Sequence, residues 1–113
     1  MRVAKRESMS EPMLQAVALR FRALAEPARL RILQQLLEGE RSVSELCEST
    51  GLTQANTSKH LATLRAAGLL ERRKQGTAVY HAIGDPLVPK ICDLMCKHTT
   101  DRARAHARDL GRR

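Results

Sequence analysis

Aromatic residues are almost absent from this sequence: its 113 residues include no Trp, one Phe and one Tyr. Proteins that bind single-stranded nucleic acid usually stack bases on aromatic side chains, so that mode of binding is not expected here. The hydrophobic core must be built from Leu, Ile, Val and Ala instead. A chain of this length supports one small core, which would gain stability from dimerisation.

Long apolar runs are also missing. No segment reaches the roughly 18 apolar residues that a membrane span needs. The basic N-terminus, MRVAKRES, leads into no apolar stretch and so does not resemble a signal peptide. We therefore expect no membrane partner and a cytoplasmic location.

Acidic residues are outnumbered by basic ones. Twelve Asp and Glu stand against 20 Lys and Arg, which gives a formal net charge of +8. Such an excess makes a polyanion the leading class of partner. Combined with the scarcity of aromatic residues, it favours double-stranded DNA.

The spacing of apolar residues predicts five helices and one β-hairpin, a mainly α fold. A first helix is expected over 11–24, and a second begins at Pro27 and is ended by Gly39, with Leu30 and Leu37 on its buried side. Residues 42–43 are expected to form an extended link, after which Ser44 caps a short helix that runs through Thr50.

The pattern that follows is typical of a helix-turn-helix. Residues 51–52 form the turn, Thr53 caps a helix from Gln54 to about Ala67, and Gly68 ends it. In this motif the second helix enters the DNA major groove. Two strands over 69–74 and 77–83, joined at Gln75 and Gly76, then predict a β-hairpin wing.

A last helix is expected from Asp85 and Pro86, with Pro89 in its first turn. From Arg102 onward five Arg accompany one Asp, which predicts a frayed, solvated helix end or a disordered tail. The predicted organisation is thus a flexible arm over 1–10, a DNA-binding and dimerisation domain over 11–100, and a basic tail over 101–113.

Four segments, in the right order, resemble the ArsR/SmtB family of winged helix-turn-helix repressors. They are LAEPARLRIL at 24–33, SEL at 44–46, TQANTSKHL at 53–61 and LRAAGLL at 64–70. The resemblance implies a bacterial repressor that dimerises through its first and last helices. It also implies release from DNA when metals bind or when thiols are oxidised.

The predicted recognition helix and wing carry the candidate DNA contacts. From residue 53 to 79 five basic residues and one acid leave a charge of +4. Residues near the start of a recognition helix reach base edges, while later cations meet phosphates. His60 is also interpreted as packing beside the backbone or against the preceding helix, and Thr57 as half-buried. The candidate DNA-binding residues are Gln54, Ala55, Asn56, Ser58, Lys59, His60, Arg65, Arg72, Arg73 and Lys74.

Cys92 and Cys96 are spaced to lie on one face of the last helix, where both thiols can reach one soft ion. The alternative is that they pack as small apolar residues in a dimer interface. Cys47 is the third candidate ligand, either joining that pair or packing within its own short helix. A thiol from the partner subunit is the alternative third ligand. As(III) or another thiophilic ion is the expected inducer, and DNA binding itself requires no cofactor.

The resemblance also shows which family sites are incomplete. Arsenic sensors of the family place three cysteines where this chain has Ser42, Ser44 and Cys47. The positions of the family's zinc site read Asp85, Leu87, His98 and Asp101, which lack a histidine unless Cys96 substitutes. Asp85 is equally suited to capping the last helix, and His98 to an exposed role.

These observations predict a dimeric repressor that releases operator DNA when its thiols bind a soft metal or metalloid. One alternative is a repressor that responds to oxidation or persulfidation of its thiols, with Cys47 or a cysteine pair between subunits as the target. Another is a repressor with no ligand site. The sequence contains no nucleophile motif and no glycine-rich phosphate loop, so an enzyme is not expected.

Overall fold

The computed structural model describes residues 8–111, and within them it contains five helices and one two-stranded antiparallel sheet. The predicted mainly α winged helix-turn-helix is confirmed. No helix in this range is long and apolar enough to cross a membrane. Residues 1–7 of the predicted arm and 112–113 of the predicted tail lie outside the described part. In order, the elements are α1 (Glu11–Leu24), α2 (Pro27–Leu37), α3 (Val43–Thr50), α4 (Gln54–Ala66), β1 (Leu70–Gln75), β2 (Ala78–Ile83) and α5 (Leu87–Gly111).

The core is aliphatic, as the lack of aromatic residues predicts. It lies between α2, α3, α4, the wing (β1 and β2) and the start of α5. Phe21 is 57% exposed and takes no part in it. The largest fully buried side chains are Ile32, Leu33, Leu46, Leu61, Leu64, Leu69, Val88 and Thr57.

Most helix ends follow the expected signals. Pro27 is the first residue of α2, and Thr53 caps α4 by accepting a hydrogen bond from the Asn56 amide at 3.2 Å. After α4 the chain turns at Gly68, whose φ of 75° lies in the left-handed region that favours glycine. Pro89 lies in the first turn of α5, as predicted.

The predicted N-cap of α3 is wrong: the cap is Ser42, not Ser44. The Ser42 hydroxyl accepts a hydrogen bond from the Glu45 amide at 3.2 Å, and the Glu45 carboxylate accepts one from the Ser42 amide at 3.0 Å. These bonds form a capping box, which requires an acid three residues after the cap. Ser42 has that acid whereas Ser44 is followed by Cys47, so Val43 joins the helix and no extended link forms.

The wing is shifted by one residue from its predicted turn. Gln75 pairs with Ala78, so the two connecting residues are Gly76 and Thr77. Arg41 also forms an isolated bridge with His81, with backbone hydrogen bonds of 3.0 and 2.8 Å. This bridge ties the wing to the α2–α3 loop and was not predicted, because one bridging residue has no sequence periodicity.

The prediction that Leu30 and Leu37 are buried is wrong, since their side chains are 45% and 40% exposed. Both line an apolar groove between α2 and α5, together with Phe21, Ile91 and Met95. The core-facing side of α2 is instead formed by Ile32, Leu33 and Leu36. Apolar residues thus occupy two sides of α2, and nothing else in residues 8–111 covers the second.

The predicted boundary at residue 100 does not coincide with the end of a helix. Helix α5 runs for 25 residues, from Leu87 to Gly111. Of the two predicted forms, a solvated helix end fits residues 102–110, which are nearly all exposed, and a disordered tail does not. Alternating Ala and Arg with no interior Gly or Pro explain the continuation, because both residues favour helix.

The capping box can be tested with two serines in the same helix. We expect Ser42→Ala to lower the free energy of unfolding by about 1 kcal/mol, because the Glu45 amide loses its acceptor. Ser44→Ala should leave stability within about 0.5 kcal/mol of wild type. Urea denaturation followed by circular dichroism measures both. Equal effects of the two substitutions would contradict the assigned cap.

Candidate nucleic-acid interface and thiol pair

Helix α4 is anchored by one side and exposes the other. Thr57, Leu61 and Leu64 are buried, Thr57 completely, although it is predicted to be half-buried. The predicted base-contacting residues are all exposed on the first half of the helix, namely Gln54, Ala55, Asn56, Ser58 and Lys59. The anchored side fixes the orientation of this polar surface, so it can be presented to a partner as a rigid unit.

Cys47 packs inside the helix-turn-helix. Its thiol donates a hydrogen bond to the Thr57 hydroxyl at 3.5 Å, across the contact between α3 and α4. Cys47 therefore helps to hold the two helices of the motif together. This position supports the predicted packing role of Cys47. It does not support the alternative in which Cys47 joins Cys92 and Cys96.

His60 contacts α2, not α3 as predicted. Its Nδ1 lies 3.3 Å from the Arg29 guanidinium, in position to accept a hydrogen bond. The same guanidinium donates to the carbonyls of Ala23 at 2.6 Å and Arg22 at 3.0 Å, at the end of α1. Arg29 thus satisfies the Ala23 carbonyl at the helix end, adds a second donor to the Arg22 carbonyl, and links α1 and α2 to α4.

The three predicted cations of the wing do not all lie on the same face of the hairpin. Side chains alternate along a strand, so Arg72 and Lys74 share one face while Arg73 lies on the other. The pairing register places Arg72 opposite His81 and Arg73 opposite Tyr80. Arg72 also lines a cleft against α4, where it meets Arg65.

Arg73 already has an acidic partner. Its Nε donates to the Glu40 carboxylate at 3.1 Å, and its guanidinium carbon lies 5.1 Å from the centre of the Tyr80 ring. The hydrogen bond from Arg73 lowers the pKa of Glu40 and raises that of Arg73. Lys74 is exposed and forms no ion pair with residues 8–111.

Cys92 and Cys96 lie side by side on α5 and both line the apolar groove, whose volume is about 450 Å³. Cys92 is half-buried and Cys96 exposed. Burial raises the pKa of the Cys92 thiol, and Cys96 and Asp93 nearby raise it further. The two thiols therefore lie on one surface of the last helix, as expected.

No larger cluster of metal ligands forms within the described part of one copy. Across residues 8–111, no three His, Cys, Asp or Glu side chains converge on a common point. Cys47 does not complete the Cys92 and Cys96 pair in this subunit. Asp85 accepts a hydrogen bond from the Leu87 amide at 2.8 Å and so has the capping role, while His98 is exposed.

Comparison with known proteins identifies the family. A model described as "Bacterial regulatory protein, arsR family" matches residues 26–72, from the start of α2 into the wing. The chain is 42% identical over 83 residues to the HTH-type transcriptional regulator Rv0081 of Mycobacterium tuberculosis, an alignment covering 73% of each protein. The chain belongs to the ArsR family. This confirms the predicted resemblance and makes it a DNA-binding transcriptional regulator rather than an enzyme.

Other relatives of this ArsR-family regulator differ in the activity that their names describe. It is 39% identical over 85 residues to the probable mercury resistance operon repressor of Streptomyces lividans, covering 75% of this chain and 68% of that protein. It is 36% identical over 89 residues to the transcriptional activator HlyU of Vibrio cholerae, covering 79% and 82%. Family membership alone therefore does not decide between repression and activation.

Solved structures agree on the fold. The crystal structure of Rv0081 superposes with a TM-score of 0.78 at 36% identity, covering 87% of this chain and 99% of that one. The homodimeric winged helix-turn-helix DNA-binding domain of Mb0332 from Mycobacterium bovis gives a TM-score of 0.76 at 31% identity, covering 88% and 92%. Both likenesses extend over almost the whole described chain.

Because Arg73 is already paired with Glu40, we expect Lys74, and not Arg73, to contribute to the salt dependence of DNA binding. Lys74→Gln should reduce the slope of log affinity against log salt by about 0.9 for each bound subunit, the value for one phosphate contact, and so by about 1.8 for a dimer. The double variant Glu40→Gln/Arg73→Gln removes a matched pair and should leave the slope near that of wild type. Fluorescence anisotropy of a labelled promoter duplex over several KCl concentrations measures both. A fall of the same size in the double variant would show that Arg73 contacts DNA despite Glu40.

Proposed function

We propose that this ArsR-family regulator is a homodimeric repressor that releases its operator when Cys92 and Cys96 bind a soft metal or metalloid ion. The observation that carries the proposal is the position of the two thiols. They are one helical turn apart in an apolar groove between the last helix and α2. Thiolates are the ligands that soft ions prefer.

The DNA-binding surface is assigned to the exposed side of α4 and one face of the wing. Gln54, Ser58 and Lys59 are the base-facing candidates, with Ala55 and Asn56 beside them, because they project from the start of the anchored helix. Arg65, Arg72 and Lys74 are the phosphate candidates. Arg73 and His60 contribute less to this surface, since Glu40 and Arg29 respectively already engage them.

Dimerisation is proposed through α1 and α5. Apolar side chains on these helices are unusually exposed in one copy, with Phe21 at 57% and both Leu94 and Met95 at 60%. An exposed apolar surface of this kind is typical of an interface. The Mb0332 domain from Mycobacterium bovis is homodimeric, which supports the same assembly for this chain.

The proposed interface can be tested at one position. Met95→Glu places a charge in the groove and should shift the protein from dimer to monomer at micromolar concentration, because burying an unpaired carboxylate is costly. Thr100→Glu adds the same charge roughly 140° further round the helix and should leave the dimer intact. Sedimentation equilibrium measures the assembly. A dimer of unchanged affinity in Met95→Glu would contradict an interface at this groove.

Metal binding at the pair would compete with protons. Burial raises the pKa of Cys92, so the thiol is protonated before the ion arrives and its proton is released on binding. Two thiols from one subunit leave room for a further ligand from the partner or from solvent. The Streptomyces lividans relative is named as a mercury resistance operon repressor, which supports a thiophilic ion in general.

Helix α2 offers a physical path from the ion to DNA. The groove that contains the thiols is also lined by Leu30, Gln34 and Leu37 of α2. Near the start of the same helix, Arg29 contacts His60 on α4. A shift of α5 against α2 would therefore reach the recognition helix. Coupling between two such sites is typically about 5- to 150-fold in affinity.

The test is metal titration of the reduced protein bound to a labelled promoter duplex. Arsenite or cadmium should weaken DNA binding of the wild type by about 5- to 150-fold. The Cys92→Ser/Cys96→Ser variant should bind DNA normally and not respond. Cys47→Ser, the matched control, should respond like the wild type because Cys47 packs against Thr57. Release from the Cys92→Ser/Cys96→Ser variant would disprove the assigned site.

A thiol-redox signal is the second candidate, favoured by the exposure of Cys96 beside Cys92. Loss of DNA binding in mild oxidant, reversal by reductant and no response to metal ions would select it. A disulfide within the pair is disfavoured, because bridging residues four apart in a helix distorts the preferred geometry. No response to ions or oxidant would indicate a regulator without a ligand site.

A further inference from the structure

A second cleft, of about 240 Å³, lies between α4 and the core-facing side of the wing. Leu61 and Val79 form part of its apolar wall. Its polar lining consists of Ser58 and Arg65 from α4, Arg72 from β1 and His81 from β2. The cleft thus combines two cations and a histidine at the junction of the two elements assigned to DNA.

His81 is an unusual residue to find in this position. Its side chain is 5% exposed, and its Nδ1 is buried with no hydrogen-bond partner in the described chain. Buried polar atoms are normally paired, so the ring lies in a site that leaves one of its nitrogens unsatisfied. The backbone of His81 is fixed by two hydrogen bonds to the backbone of Arg41.

The charges around His81 are all positive. Arg72 is its direct partner across the sheet, and Arg65 approaches from α4. Burial first, then these two cations, hold the pKa of His81 below its ordinary range. On the remaining side Arg41 directs its guanidinium away, towards Glu38 at 3.7 Å. Neither Arg65 nor Arg72 forms an ion pair with residues 8–111.

We propose that Arg65, Arg72 and a protonated His81 form a binding site for one phosphate group, supplied by the DNA backbone. This inference rests on the proposed DNA-binding surface, because the cleft lies between its two parts. A phosphate oxyanion matches both guanidinium groups, and its negative charge permits the ring to accept a proton. Inorganic phosphate has the same chemistry, so the source must be distinguished by experiment.

Proton uptake makes DNA affinity depend on pH in a direction that can be measured. In the free protein His81 is neutral near pH 7. A bound phosphate raises the pKa of His81, so each subunit in the complex holds one proton more than a free subunit. DNA affinity must then increase as pH falls through the interval between the two pKa values. The fold's stability changes in the opposite direction, since acid favours the unfolded chain, in which His81 is free to protonate.

The experiment measures duplex affinity by anisotropy from pH 6 to pH 8 at constant ionic strength. Wild-type affinity should fall by about three- to tenfold per bound subunit for each rise of one pH unit across the sensitive interval, because each His81 takes up at most one proton and one proton limits the change to tenfold. His81→Gln should bind DNA with a much flatter profile. His98→Gln, which alters an exposed histidine on α5, should keep the wild-type slope.

Nuclear magnetic resonance of the histidine rings gives a second readout that does not depend on a variant. Duplex should raise the pKa of His81 in the wild type, whereas an equal concentration of inorganic phosphate should leave it unchanged. A shift with inorganic phosphate alone would support the site but assign it to free phosphate. Thermal denaturation identifies any loss of folding in His81→Gln.

Two results would overturn the proposal: a His81 ring pKa unaffected by both duplex and phosphate, or a wild-type pH slope retained in folded His81→Gln. Both leave the proposed function intact if the protein binds DNA and releases it with metal. Absence of duplex binding at every pH would instead remove the proposed function, and the backbone-phosphate assignment with it.

Discussion

The packing of one side of α4 against α2, α3 and the wing is the contact on which the rest of the molecule depends. Thr57, Leu61 and Leu64 are fully buried in it, and they determine which side of the helix remains exposed. Because these side chains are closely packed in the core, α4 cannot rotate about its axis without exposing them. The polar surface of the helix is therefore set by its apolar side.

A core this small also leaves apolar surface uncovered. Helix α2 contributes Ile32, Leu33 and Leu36 to the core, and on its other side Leu30 and Leu37 face the groove beside α5. A second subunit is the simplest cover for such a surface. Cys92 and Cys96 lie in the same groove, so a second subunit and the proposed ion would occupy neighbouring positions. Under that proposal, the ion would be well placed to change quaternary geometry.

The order of elements was predictable because periodicity, prolines, caps and glycines point the same way. Where two local signals competed, the deciding pattern was present but overlooked: Ser42 and Ser44 both resemble caps, but only Ser42 is followed three residues later by an acid, Glu45, with which it forms the reciprocal bonds. The exposed candidates on α4 follow from helical geometry. The pairing of Arg73 with Glu40, 33 positions away, and the bridge between Arg41 and His81 depend on tertiary contacts that no local pattern encodes.

The burial of His81 had a signal that was available but weak. Val79, His81 and Ile83 alternate along β2, which places the histidine on the core-facing side of the wing. The lack of a partner for its ring, however, depends on the positions of α4 and β1. Sequence patterns show which residues share a face. Whether each polar atom finds a hydrogen-bond partner depends on the folded chain.

The wing is attached to the rest of the domain along both of its strands, and not only at the two ends of the hairpin. Arg73 joins it to Glu40, and Arg41 pairs with His81, so two successive residues of the α2–α3 loop are attached to different strands of the hairpin. A hairpin attached only at its ends would lose conformational entropy when it docked on a duplex. Here much of that entropy is already lost on folding, so the wing is preorganised. Under the proposed DNA-binding role, the loop that restrains the wing would influence binding without touching the duplex.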